Sequence, residues 1–318
     1  MNKLAALGLL ALTVGCRRSG GELPLIAYHP EGAVSVRYPV GWRVEAERRD
    51  GAAYRHFLAP PAGPDRRPAI SVTLIAAPLG GSLEDYAQLY LKDKGQAESR
   101  PVERQGAKGR SYRYASADGA LRFSLLLLQD GPRALGLFGQ ATAAQFAAHA
   151  ATLDEMEKSL TLERPELYPE HREAEHGFAL RVPPSWRLTR SFAGGAGSLT
   201  QFSSPALLAD RNGQTAHASF TVTTEAAGSG LEAFYQSQRD RLGEAYKLFS
   251  HEPWGDGFAD FMKVETPVAE SRIKRFYRVG GGRGYTLSCD GRDDAYPLVA
   301  RWCEVIASTF RTDGAGAR

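Results

Sequence analysis

A nine-residue segment that occurs twice constrains this chain more than any single motif. Val36-Arg37-Tyr38-Pro39-Val40-Gly41-Trp42-Arg43-Val44 returns 144 residues later as Leu180-Arg181-Val182-Pro183-Pro184-Ser185-Trp186-Arg187-Leu188. Arg, Pro, Trp and Arg are identical and the apolar positions keep their type. Further matches follow in the same order: residues 57–60 with 202–205, Leu83-Glu84 with Leu231-Glu232, and 153–160 with 303–310. The offset drifts only to 150, which loops can absorb. The chain therefore reads as two copies of one domain, and its 318 residues give each copy an ordinary domain size.

Each copy carries the same local signals. Val34, Val36 and Tyr38 alternate with polar neighbours, as do Phe178, Leu180 and Val182, the period of a half-buried strand. The Pro and Trp that follow turn the chain and bury a large ring. Residues 72–75 and 220–222 read as the next strands. A helix follows with Leu83, Tyr86, Ala87, Tyr90 and Leu91 on one stripe, echoed by Leu231, Phe234, Tyr235 and Leu242. Ser82-x-x-Asp85 and Ser229-x-x-Glu232 are the expected caps. Three strands come next in the first copy, joined by hairpin signals at Asp118-Gly119 and Asp130-Gly131. Residues 125–128 are apolar on both faces, so that strand is expected inside the sheet. A helix bearing Phe146, Leu153, Met156 and Leu160 closes the copy, matched by Val299, Cys303, Ile306 and Phe310.

The expected fold is α+β: two copies of an α/β/α sandwich with a largely antiparallel sheet, over residues 28–162 and 173–312. Residues 163–172 are charged and hold Pro165 and Pro169, which predicts a short, stiff linker. Residues 313–318 are expected to be a disordered tail.

The N-terminus sets the address. Lys3 precedes an apolar run over residues 4–14 that ends at Gly15-Cys16, the pattern of a signal peptide. Leu12-Thr13-Val14-Gly15-Cys16 resembles the lipobox of bacterial lipoproteins, which implies removal of residues 1–15 and lipid on Cys16. Residues 16–27 then read as a polar tether. Arg17 after the modified cysteine favours the outer membrane in a Gram-negative cell. Exported and lipid-anchored, the chain is expected in the bacterial cell envelope.

Taken together, the opening strand, the Pro-x-(Gly/Ser)-Trp turn, the following Phe strand and the closing helix resemble the PsbP-like superfamily. The matching positions are Pro39, Gly41, Trp42, Phe57, Ser159 and Leu160, then Pro183, Ser185, Trp186, Phe202, Thr309 and Phe310. The resemblance implies proteins that bind other proteins or assist assembly, with no shared catalytic set.

Several residues invite chemistry of their own. Cys289 shares strand parity with Tyr285 and Leu287, while Cys303 lies on the apolar stripe of the next helix. Both should face one core, and in an exported chain that favours a disulfide over two buried free thiols. Their first-copy counterparts are Gly139 and Leu153. His171 and His176, five apart with Glu173 and Glu175 between, lack zinc-site spacing and read as a solvated segment. Asp290, Asp293 and Asp294 lack calcium-loop spacing and read as caps for the helix that follows. Residues 280–284 are glycine-rich without the helix that cradles phosphate, so they read as a hairpin turn. Trp254 sits in a predicted loop, either exposed as a partner-binding residue or folded back over the sheet. Trp42, Trp186 and Trp302 are assigned to cores or to the domain interface.

A formal charge of +3 gives no nucleic-acid footprint. The sequence has no Gly-x-Ser-x-Gly elbow, P-loop or His-Glu-x-x-His. The expectation is a non-enzymatic, membrane-anchored envelope lipoprotein that presents two PsbP-like domains to a protein partner, with no cofactor and no metal. The alternatives are a small-ligand or metal carrier using an inter-domain groove, and a hydrolase with an unrecognised site.

Overall fold

The computed structural model describes residues 23–29, 33–64, 66–92, 94, 96–194, 197–209, 214–228, 230–265 and 270–313. The expected signal peptide, Cys16, most of the expected tether, Ser229 and the tail from residue 314 lie outside the described residues.

The first half runs β1 (Leu25–His29), β2 (Val34–Tyr38), β3 (Arg43–Arg49), β4 (Ala52–Leu58), β5 (Ser71–Pro78), α1 (Leu83–Leu91), β6 (Glu98–Arg104), β7 (Ala107–Ala115), β8 (Leu121–Asp130), β9 (Arg133–Thr142), α2 (Ala143–Ala148), α3 (Ala150–Ser159) and β10 (Thr161–Leu162). After a 3-10 turn at Pro165–Leu167, the second half begins with β11 (Glu170–Glu173), β12 (Phe178–Arg181), β13 (Arg187–Gly194), β14 (Gly197–Ser203), β15 (Leu208–Ala209), β16 (Thr215–Ala216) and β17 (Ala218–Ala226). It ends with α4 (Leu231–Asp240), β18 (Tyr246–Trp254), β19 (Gly257–Glu265), β20 (Glu270–Gly280), β21 (Arg283–Arg292), α5 (Ala300–Ser308) and β22 (Arg311–Thr312).

The class is α+β, dominated by antiparallel sheets. Two seven-stranded sheets have the same order, β3-β4-β5-β9-β8-β7-β6 and β13-β14-β17-β21-β20-β19-β18. Each half also carries a three-stranded sheet, β1-β2-β10 and β11-β12-β22. Burial explains the layering. One face of the first large sheet packs Phe57, Val72, Leu74, Leu126 and Leu128 against Leu153 and Met156 of α3 and against β2. Its other face packs Ile75, Leu125 and Leu127 against Leu83 and Ala87 of α1. Residues 125–128 are thus buried on both faces, as their unbroken apolar run predicts. The second large sheet repeats this with α5 on one face and α4 on the other.

The repeated segment does what its residues suggest. Gly41 turns the chain at φ +84°, a conformation that disfavours a side chain. Trp186 is buried edge-on to Trp302 at 6.0 Å, and Trp42 is half-buried against the first core. Ser82 and Asp85 form a capping box on α1. In the second half α4 starts after Gly230, which has no side chain to cap with; the expected cap, Ser229, lies outside the described residues.

Several expectations need correction. Four strands, not three, follow the helix in each half, because β6 and β18 are polar edge strands lacking a clean alternation and carrying Pro101 and Pro253. The first closing helix breaks at His149 into α2 and α3. The end of the expected tether is not polar chain: Leu25 joins the first core and Ile26 the second, where the Ile26 amide donates to the Ala206 carbonyl at 2.9 Å. His176 is buried rather than solvated. Finally, Asp293 and Asp294 pair with Arg272 and Arg292, and α5 has no side-chain cap, because the 3-10 turn Tyr296–Leu298 separates them.

Candidate functional site

On the α1 side of the first sheet the helix leaves part of the sheet uncovered. Tyr86 and Tyr90 stand four apart and so share one face of α1, turned to the sheet. Alternating positions on β4, β5 and β9 supply Tyr54, His56, Thr73, Ile75 and Phe138. These residues line an open hollow of about 640 Å³, a size that suits a small ligand or a partner's side chains. The Tyr90 and Phe138 rings lie 5.3 Å apart, Tyr86 and Tyr90 5.8 Å, and Tyr54 stacks on His56 at 6.2 Å. Leu89 projects from α1 beside the hollow and is 74% exposed.

The polar groups of this groove are internally satisfied. His56 Nε2 lies 3.0 Å from Glu47 and Nδ1 lies 3.0 Å from Thr73 Oγ1. In the neutral ring, Nε2–H donates to the carboxylate and Nδ1 accepts from the threonine hydroxyl. Arg49 pairs with Asp50 at 3.2 Å on the rim. Burial pushes the Tyr86 hydroxyl well above the usual phenol range, and burial likewise raises Tyr90. Both stay neutral hydrogen-bonding groups at any physiological pH. The groove therefore offers aromatic surface with few charges, a lining suited to apolar or aromatic anchors.

The second half does not carry this lining. In the common strand order, Leu199, Gln201 and Ser288 take the places of Tyr54, His56 and Phe138, and Gln238 that of Tyr90. Instead it carries a polar cluster under α4. Asp260, 0% exposed, accepts from His251 Nδ1 at 2.7 Å and from the Tyr235 hydroxyl at 3.2 Å, and Arg239 donates to that hydroxyl at 2.7 Å. The cluster fastens edge strand β18 to the helix.

Between the halves lies a third constellation. The Glu163 carboxylate accepts from Ser35 Oγ of β2 and from the Tyr168 hydroxyl at 2.6 Å, and it lies beside the Trp302 side chain of α5. All four residues are buried. The Tyr38 hydroxyl adds a bond to the Leu207 carbonyl at 2.7 Å. The segment expected to be a solvated linker is thus part of the contact between the halves.

Cys289 and Cys303 lie at disulfide-bonding distance, with Cα atoms 5.8 Å apart, in the core beneath α5. Trp254 ends β18 rather than sitting in a loop. Its half-buried ring packs on Phe276 at 4.6 Å, with the Arg278 guanidinium 4.5 Å above it, held in turn by Asp256 at 2.7 Å. Pro39, Trp42, Pro183 and Trp186 serve turns and cores. None of these residues lines the groove. Tyr86 and Tyr90 read in sequence as core positions, and nothing local signals that the sheet beneath them is only partly covered. Among the described residues, no group of three or more His, Cys, Asp or Glu is placed to hold a metal ion. Nor is any described helix long and apolar enough to cross a membrane.

No protein-family model matches the chain, and no curated protein matches it. Among solved structures it is similar to cyanobacterial PsbP from Synechocystis, with 13% identity over 45% of this chain and 91% of that one (TM-score 0.31). It is similar to the Saccharomyces cerevisiae Ran-binding protein Mog1p, with 12% identity over 45% and 97% (TM-score 0.30). A Bacteroides thetaiotaomicron protein matches at 12% identity over 48% of this chain and 50% of its own length (TM-score 0.31).

Proposed function

We propose that the chain is a non-enzymatic lipoprotein of the bacterial cell envelope, built of two PsbP-like domains, that binds a protein partner through the aromatic groove of its first half. Lipid on Cys16 anchors it to the membrane, the outer one in a Gram-negative cell. The shared strand order supports the two-domain reading. The groove carries the binding reading: an exposed leucine beside an open hollow lined by tyrosines and phenylalanine is the composition of an interface anchor site.

Two experiments test this. Cys16→Ser is expected to abolish incorporation of labelled fatty acid and to move the protein from the membrane pellet to the soluble fraction. A variant that still sediments with membranes and still takes label overturns the anchor. For the groove, a photo-crosslinking amino acid at position 89 of the intact protein, in its native envelope, is expected to give one discrete protein adduct. Tyr54→Ala with Tyr90→Ala should cut its yield at least tenfold, corresponding to about 1.4 kcal/mol or more, with near-ultraviolet dichroism retained. No protein adduct, or one indifferent to the two substitutions, sinks the reading. The same hollow fits a small ligand, and labelling of a low-mass species alone would point there.

A further inference from the structure

The two large sheets end in four edge strands: β3 and β6, then β13 and β18. A free edge exposes unpaired N–H and C=O groups, and proteins guard it with proline, bulges or compensated charge. Three of the four carry proline or paired charge along the strand, whereas β13 is irregular only near its start, between Leu188 and Arg190. On β3, Arg43 pairs with Glu45 at 3.0 Å and Glu47 with His56 at 3.0 Å. Pro101 interrupts β6. Pro253 interrupts β18, whose Lys247 and Glu252 pair with Glu265 and Lys274.

The exception is β13. Its sequence, Arg-Leu-Thr-Arg-Ser-Phe-Ala-Gly, holds no proline and no acid. Among the described residues neither Arg187 nor Arg190 has an ion-pair partner. Leu188 and Phe192 are 50% and 66% exposed. A register shift falls between Leu188 and Arg190, after which residues 190–194 pair regularly with β14. In that regular stretch Arg190 and Phe192 stand on one face, opposite Gln201 and Leu199.

We propose that β13 is a site of strand addition: an extended segment of a partner protein, alternating acidic and apolar residues, pairs with residues 190–194 as an eighth strand. Backbone hydrogen bonds supply the affinity, and a carboxylate at Arg190 with an apolar side chain at Phe192 supplies the selectivity. A second copy of this chain fits poorly, because antiparallel self-pairing brings the arginines of both strands into one short stretch with no acid between them. The site rests on the protein-binding reading but is separate from the groove.

The test uses the intact protein and three kinds of labelled peptide: alternating glutamate and valine, alternating lysine and valine, and two N-methylated forms of the first, each blocking one edge of its backbone. The glutamate peptide is expected to bind at least tenfold tighter than the lysine one, with Arg190→Glu reversing that order. One N-methylated form should lose binding while the other keeps it. Hydrogen exchange should slow at residues 190–194 and not on β3. Equal binding of both peptides, binding by neither, equal tolerance of both N-methylated forms, or protection elsewhere each overturns the proposal. Tyr90→Ala should leave peptide binding unchanged, so failure of the groove and failure of the edge are told apart.

Discussion

Replacing Glu163 with alanine is expected to lower the stability of the chain by about 3–5 kcal/mol, measured by urea unfolding at neutral pH. The magnitude follows from what the carboxylate satisfies. The Ser35 and Tyr168 hydroxyls both direct hydrogens to it, and both residues are buried, as is the neighbouring Trp302. An unsatisfied buried donor costs about 1–3 kcal/mol, and two of them lose their acceptor together. Ser35 belongs to the first half and Trp302 to the second, so the loss falls on the contact between them. A change below about 1 kcal/mol would mean that the contact does not depend on this carboxylate.

The same group fixes a pH dependence whose sign can be worked out. Burial raises the Glu163 pKa, outweighing the hydrogen bonds that pull it down. The folded chain therefore takes up this proton at a higher pH than the unfolded chain does. In the window between the two values the folded state holds more protons, so stability falls as pH rises through that window. Above the folded value the cost of the buried charge is fully present. Burial gives Glu157 and Asp290 the same sign, whereas ion pairs lower Glu170 and Glu265 and give the opposite one. Comparison with Glu163→Gln isolates the term. The stability of the natural chain minus that of the variant should decrease from mildly acid pH upward and then level off; a difference that grows with pH would reverse the assignment.

This carboxylate also marks where sequence reading stops. Alternation on β2 and β12 and the apolar run of β8 were readable because each strand's burial is written in its own residues. The capping box at Ser82 was readable for the same reason. Glu163 sits in a charged, proline-containing stretch that looks like any solvated linker. Its burial is decided by Ser35 and Trp302, each more than a hundred residues away. Edge strands β3, β6, β13 and β18 were hidden because a strand paired on one side and wet on both faces has no apolar period to show. Tyr86 and Tyr90 carried the right helical spacing, but groove and core share that spacing and differ only in what covers the sheet.

Reducing the Cys289–Cys303 pair is expected to lower stability by about 3 kcal/mol. In a Cys16→Ser background, the denatured protein should give no free thiol before reduction and two after it. The chain-entropy argument sets the size: a closed loop of about 15 residues removes that much conformational freedom from the unfolded chain. The first half shows what the bond replaces. At Gly139, the counterpart of Cys289, an added Cβ would lie 3.0 Å from a Leu153 methyl carbon and 2.6 Å from Ser124 Oγ. One half thus fills the space between its central sheet and closing helix with a leucine over a bare glycine, the other with two sulfurs. Cys289→Ala with Cys303→Ala should lose the cross-link and also leave space unfilled. Cys289→Gly with Cys303→Leu copies the first half, loses only the cross-link, and should be the more stable of the two by about 1 kcal/mol or more. If the alanine pair proves equally stable, the leucine does not reproduce the packing, and the two halves solve the core beneath that helix by different means.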